Sequence, residues 1–204
     1  MARLSSEQVR EQLALYIQSQ DRIAHCISVA QTAQQLAIHH QLNPEHAQLA
    51  GYYHDIAKEL DPASLKKLGI QDTQDKLYTS TPSIWHSFVG PDVARVQFQI
   101  SEPDVLDAMR WHTTGKADMT PLSQLIFVSD FIEPFRPIPN RDYLESLAQN
   151  NLQHATLAIT LLSISSLMVR RYTIHPHTFE CYNYYSQTIE SPVFTDMIQQ
   201  LSLG

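Results

Sequence analysis

Three times in this chain a helix-capping residue stands directly before a proline: Asn43-Pro44, Thr120-Pro121 and Ser191-Pro192. An Asn, Thr or Ser side chain accepts a hydrogen bond from the unpaired N–H groups of a first helical turn. Proline is tolerated at the next position, because the donor it lacks would have no partner there. Between these marks apolar residues recur every three or four positions. Ile23, Ile27, Ala30, Ala33 and Ala37 form one stripe within residues 22–39. Val105, Met109 and His112 share a face, as do Leu122, Ile126 and Asp130. The pattern predicts helices over residues 44–59, 152–170, 178–188 and 193–201, and Ser101 with Asp104 predicts a capping box before another. Residues 61–82 are polar and irregular, and are expected to form a partly helical connector over the site. With five glycines where about 14 would be ordinary, and little alternation, the expected fold class is all-α.

The length, 204 residues, suits a single domain. A formal charge of −7 with fourteen Lys and Arg argues against nucleic acid as a partner, since that needs a concentrated basic surface. Cys26 and Cys181 have neither CxxC spacing nor disulfide density, which points to a reducing cytoplasm. The N-terminus lacks the apolar core of a signal peptide. The uncharged stretch 155–169 is shorter than the ~18 residues of a membrane span and reads as a buried helix. No membrane partner is expected.

The chemistry concentrates in histidine and aspartate. His54-Asp55 is preceded by His25 and followed by His86, His112 and Asp130. On a helix His54 and Asp55 stand about 100° apart, so both could flank one ion over the seam. Lys58 lies one turn beyond His54, and Ala47, Ala50 and Gly51 are small enough to admit a neighbouring helix. A lone buried histidine is ordinarily a hydrogen-bonded core residue, but buried aspartates are rare unless paired or metal-bound. Two inward aspartates with four histidines are hard to satisfy without an ion. Imidazoles and carboxylates hold hydrolytic divalent metals, which lower the pKa of bound water. Hydrolysis at a phosphorus or acyl centre is the expectation.

The order His, His-Asp, Asp resembles the HD-domain phosphohydrolase superfamily, a helical bundle around an internal metal site. The run His54-Asp55-Ile56-Ala57-Lys58-Glu59, the run His112-Thr113-Thr114-Gly115-Lys116 and the segment Ser129–Arg136 look like motifs of one branch. So do Trp85-His86 and Ile174-His175-Pro176-His177-Thr178 with Asn183. That branch is the YqeK-type symmetrical bis(5'-nucleosyl)-tetraphosphatases, which split diadenosine tetraphosphate into two ADP. The likeness covers about residues 22–185, the core of a single domain spanning 1–204. Ser129 stands where the branch usually has alanine, and Phe135 and Pro137 replace a more usual glycine and acid around Arg136.

The resemblance implies His25, His54, Asp55 and Asp130 as metal ligands, with iron the first expectation and manganese or cobalt the alternatives. His86 and His112 are implied as ligands of a second ion or as phosphate contacts. Asp55 and Lys58 are the implied catalytic residues, and Arg22, Lys58 and Arg136 would neutralise phosphate. Thr173, Ile174, His175, Pro176, His177, Thr178 and Asn183 would close over the nucleotide. Thr114 is a further substrate candidate beside the helix cap at Gly115. Arg136 follows Glu133 at helical spacing, so without the resemblance the two would read as a simple surface pair, while His39, His40, His46 and His154 read as solvated surface. A homodimer is compatible with the branch. Another small-nucleotide phosphohydrolase, such as a 5'-nucleotidase, and a non-catalytic nucleotide-binding module stay open as alternatives.

Overall fold

Among the described residues, seven helices open with proline in their first turn, which is how eleven prolines fit an all-helical protein. The computed structural model describes residues 5–71 and 75–203, and among them there is no strand. In chain order the helices are α1 (Ser6–Ala14), α2 (Gln20–His39), α3 (Pro44–Tyr53), α4 (Pro62–Lys67), α5 (Asp75–Ser80) and α6 (Pro82–Phe98). They continue as α7 (Pro103–Trp111), α8 (Pro121–Ile132), α9 (Arg141–Asn150), α10 (Leu152–Val169), α11 (Pro176–Thr188) and α12 (Ser191–Gln200). The expected connector over 61–82 holds α4 and α5, and its residues 72–74 lie outside the described residues.

The most extensive helix pair is α2 against α3, and both also pack on α8. Their closeness has a local cause. A Cβ on Gly51 of α3 would come within 2.5 Å of Ala30 Cα and 2.8 Å of Ala30 N on α2. The small residues therefore do admit a helix. Around this crossing the core is filled by Ile23, Ile56, Met109, Leu125 and Ile126, all fully buried.

Five local expectations are corrected, the first being the Ser191 cap: Glu190 is the N-cap of α12, without a side-chain bond, and Ser191 is its first helical residue. The helix expected over 44–59 stops at Tyr53. Pro103 takes the first turn of α7, so Glu102 is its N-cap without a side-chain bond, and no Ser101 capping box forms. The helix expected from 178 begins at Pro176, capped by the His175 side chain, which accepts from His177 N–H. The last correction concerns α10. At 18 residues it is long and apolar enough to cross a membrane by length and composition. Only its first half is buried, up to Thr160, while Met168 and Val169 are exposed.

Pro91 falls inside α6, yet the helix runs through it. One carbonyl in that turn, that of Phe88, accepts from Arg110 Nη1 at 3.2 Å. His39 and His40 are not idle surface groups either. Their Nε2 atoms donate to Gln149 O at 2.8 Å and Ala148 O at 2.7 Å, tying α2 to the end of α9. His46 Nδ1 stands 2.7 Å from Asp104 Oδ2.

Candidate metal centre

Two helices end at the site, and the same device ends both. His54 is the C-cap of α3, and its Nδ1–H donates to Gly51 O at 2.8 Å. His112 is the C-cap of α7, and its Nδ1–H donates to Met109 O at 2.7 Å. Each ring thus satisfies a carbonyl that the ending helix leaves free. Each is also fixed in the tautomer whose Nε2 keeps its lone pair. Beyond His54 the chain continues in three-residue turns, with Ile56 N–H on Tyr53 O at 3.1 Å and Lys58 N–H on Asp55 O at 2.9 Å. His54 and Asp55 therefore reach the cluster from a turn, not across a helix seam. After His112 the turn closes through Gly115 N–H on Trp111 O at 2.9 Å, with Gly115 at φ +63°.

His25 from mid-α2, His86 from α6 and Asp130 from α8 complete the cluster. His25 Nε2 lies 3.0 Å from Asp130 Oδ1, and His54 Nε2 lies 3.6 Å from Asp55 Oδ2 and 3.8 Å from Asp130 Oδ1. On the other side Asp55 Oδ1 lies 2.9 Å from His86 Nε2 and 3.4 Å from His112 Nε2. Three overlapping triads have ligand atoms within 4.8 Å of one another: His25, His54 and Asp55; His54, His112 and Asp130; and Asp55, His86 and His112.

The fit to a cation rests on unpaired atoms. His25 Nε2, His54 Nε2 and Asp55 Oδ1 are buried without a hydrogen-bond partner, despite their short distances to charged neighbours. His25, His54 and Asp55 each offer a ligand atom within 4.8 Å of the others, close enough to share one cation. Nitrogen and carboxylate oxygen suit a first-row divalent ion. A buried polar atom left alone costs roughly 1–3 kcal/mol, and three in one place would be expensive without an occupant.

Three cations rim this core. Arg22 Nη1 bonds Asp55 Oδ2 at 2.7 Å, and Arg136 Nη2 bonds Asp130 Oδ1 at 2.9 Å. Lys58 Nζ donates to His86 Nε2 at 3.1 Å and stands 3.6 Å from Asp55 Oδ1. Their side chains are 34%, 35% and 29% exposed, against 0–3% for His54, Asp55, His86 and His112. The cations form the mouth of the cluster, and its histidines and Asp55 the floor.

Electrostatics prepares the ligand forms of His54, His86, Asp55 and Asp130. Burial pushes the imidazole pKa of His54 down to about 3 and that of His86 down to about 4, so both are neutral near pH 7. Burial would raise the Asp55 carboxyl, but His54 and Lys58 hold it well below the usual range. Asp130 is likewise held low against burial by His25 and Arg136. In His25, burial is outweighed by Asp130, and its pKa is raised.

Mild acid should destabilise the metal-free protein. The unfolded chain protonates its imidazoles near 6.5, whereas the fold resists this at His86 to about 4 and at His54 to about 3. Between pH 6.5 and 4 the unfolded state binds more protons, so acidification destabilises the fold, by up to roughly 1.4 kcal/mol per pH unit for each ring. His25 acts oppositely, stabilising at low pH and losing that contribution as pH rises through its elevated pKa. Urea midpoints should fall clearly between pH 7 and pH 5. A flat profile would contradict neutral burial of these rings.

Of the predicted site residues, the structure brings together His25, His54, Asp55, His86, His112, Asp130, Arg22, Lys58 and Arg136. The C-terminal segment is nearby through aromatic contacts. His175 and His177 lie 5.7 and 6.3 Å from the Phe88 ring, and His177 lies 4.9 Å from Trp111. Phe88 and Trp111 belong to the helices that carry His86 and lead to His112. No hydrogen bond or ion pair joins Thr173, Ile174, Pro176, Thr178 or Asn183 to the cluster, and Thr173, Pro176 and Asn183 are exposed.

Two residues escaped the sequence reading. Thr113, not Thr114, faces the cluster, with Oγ1 at 2.9 Å from His112 Nε2, while Thr114 Oγ1 bonds Gly115 O. Glu133 is not paired with Arg136 on the surface. It is 3% exposed, and its Oε1 lies 3.3 Å from His25 Nδ1. An acid three residues after Asp130, just past the end of α8, was the available signal. Ser129 is buried with an unpartnered Oγ. Ser129→Ala should therefore stabilise by about 1 kcal/mol, raising the melting temperature by roughly 2–4 °C with turnover unchanged. A lowered melting temperature would mean the hydroxyl has a partner.

A helical bundle closing on histidines and aspartates from separate helices defines an HD-type metallohydrolase class. The family model for the HD domain matches residues 22–134, and the chain belongs to that family. Within it, the chain falls among the symmetrical bis(5'-nucleosyl)-tetraphosphatases. It is 30% identical over 167 residues to the enzyme of that name from Bacillus subtilis, covering 81% of this chain and 90% of the relative. It is 31% identical over 172 residues to the one from Staphylococcus aureus, covering 83% and 89%. A crystal structure of a predicted HD superfamily hydrolase involved in NAD metabolism, from Clostridium acetobutylicum, superposes with a TM-score of 0.79 at 26% identity, covering 91% of this chain and 99% of that one.

Proposed function

We propose that this chain hydrolyses dinucleoside tetraphosphates such as diadenosine tetraphosphate symmetrically, giving two nucleoside diphosphates. The observation that carries the reading is the convergence of His25, His54, Asp55 and Asp130, with three of their ligand atoms buried and unpaired. These four residues would hold a divalent metal, iron first and manganese or cobalt as alternatives. Asp55, His86 and His112 form the triad for a second ion or for direct phosphate contact. A bound divalent ion would polarise a phosphoryl oxygen and lower the pKa of bound water.

The chain's own groups account for the rest. Asp55 presents one oxygen to each half of the cluster and so can orient the attacking water. Arg22, Lys58 and Arg136 can exchange their carboxylate contacts for phosphate oxygens as negative charge grows on the leaving diphosphate, a preorganised electrostatic role. A tetraphosphate carries enough charge to engage all three at once. Thr173, Ile174, His175, Pro176, His177, Thr178 and Asn183 would border the nucleoside, where Phe88, Trp111, His175 and His177 offer ring faces for a base. A cytoplasmic location and a homodimer belong to the same reading.

Metal analysis coupled to chromatography of the products tests it. Diadenosine tetraphosphate should give ADP alone, with activity lost to a chelator and restored by iron, manganese or cobalt. AMP with ATP, release of free phosphate, or tight binding without turnover would each refute the symmetrical cut.

A further inference from the structure

Two of the inward histidines, His54 and His112, spend their Nδ1 hydrogen on a carbonyl at their own helix end. His25 has no such option. It lies inside α2, where carbonyls are consumed by the helix four residues on. Its Nδ1 turns instead to Glu133 Oε1 at 3.3 Å. That carboxylate is itself fixed, because its Oε2 accepts Phe135 N–H at 2.9 Å, and Arg141 Nη2 donates to the Glu133 main-chain oxygen at 3.2 Å. Nothing in the sequence reading assigned it a role at the site.

We propose that Glu133 is the positioning residue of the metal centre, accepting the Nδ1–H of His25 and so presenting Nε2 to the ion. The inference rests on the metal-centre reading above. Without Glu133 the ring can rotate about its bond to Cβ or adopt the other tautomer, and either takes the lone pair away from the cluster. With it, the negative partner also makes Nε2 a stronger donor to a cation. Carboxylate partners of ligating histidines ordinarily carry about 10–100-fold in metal affinity. Glu133 acts through His25 and needs no contact with the substrate.

The test is cobalt(II) affinity of the whole chain, measured against a chromophoric chelator together with the visible absorption of the bound ion. Glu133→Ala, and Glu133→Leu which keeps the bulk, should each weaken binding about 10–100-fold and shift the absorption. Glu133→Gln keeps a carbonyl oxygen for His25 and should recover most of the affinity. On a His25→Ala background, Glu133→Ala should add no further loss. Wild-type affinity in either the alanine or the leucine variant would overturn the proposal, as would an equal additional loss on the His25→Ala background. Failure of the wild-type chain to bind cobalt would be a different result, overturning the metal centre and this role with it.

Discussion

Asp55→Ala is expected to abolish hydrolysis, lowering turnover by about 10³-fold, and to prevent stable metal uptake while leaving the fold intact. The loss is large because this one carboxylate faces both halves of the cluster. Oδ2 meets Arg22 and His54, and Oδ1 meets His86, His112 and Lys58. The fold should survive for three reasons. The cost of taking an ionised carboxylate out of water offsets much of what its ion pairs contribute. His54 and His86 are neutral near pH 7, so its removal strands no buried charge on those rings. Arg22 and Lys58, each about one-third exposed, can turn to water. Circular dichroism and melting should resemble wild type while metal content and product formation vanish. Turnover above about a tenth of wild type would remove Asp55 from the chemistry.

Gly51→Ala is expected to destabilise the fold strongly. The new Cβ would meet Ala30 Cα at 2.5 Å and Ala30 N at 2.8 Å, where carbon atoms normally rest about 3.5–4.0 Å apart. Both obstacles are main chain, so no side-chain rotation relieves them and the helices must separate by roughly 1 Å. Overpacking of this kind costs about 3 kcal/mol, a fall in melting temperature of roughly 6–12 °C. The same separation pulls His25, five residues before Ala30, away from His54, three residues after Gly51, so metal affinity should drop as well. Ala30→Gly in the same chain should not rescue the variant, since the Ala30 Cβ is the most distant of the three contacts at 3.1 Å. A normal melting temperature, or full rescue by Ala30→Gly, would contradict a backbone contact.

The helices were legible in the sequence wherever local chemistry decides them. Asn43-Pro44 and Thr120-Pro121 cap and open α3 and α8 as read. What escaped was decided by tertiary contacts. Ile56-Ala57-Lys58 has good helix formers and no glycine or proline, so nothing local announces that α3 stops at Tyr53. It stops where the His54 ring takes the Gly51 carbonyl and Asp55 turns toward Arg22 and His86. Glu133 was misread for a related reason. The i, i+3 spacing to Arg136 has meaning only on a helix, and α8 ends at Ile132. The apolar run of α10 reads as wholly buried because hydropathy does not reveal that the neighbouring helices cover only one end of it.

The candidate ligands themselves were legible because their chemistry is unusual in an interior. Aspartates on apolar helical stripes have few uses there. Thr113 had no such mark, since a threonine after a helix is ordinary. The C-terminal segment sits between these cases. Its two histidines reach Phe88 and Trp111 through ring contacts that no sequence spacing encodes.

Both α3 and α7 run out at the cluster, with His54 and His112 as their terminal residues. The aligned peptide dipoles of a helix leave roughly half a negative charge at such an end. Two of them meet here, so the main chain alone makes this interior point electronegative before either aspartate is ionised. That field adds to the carboxylates of Asp55 and Asp130, which hold Arg22, Lys58 and Arg136 directly. A positive guest would find the place already prepared by the backbone.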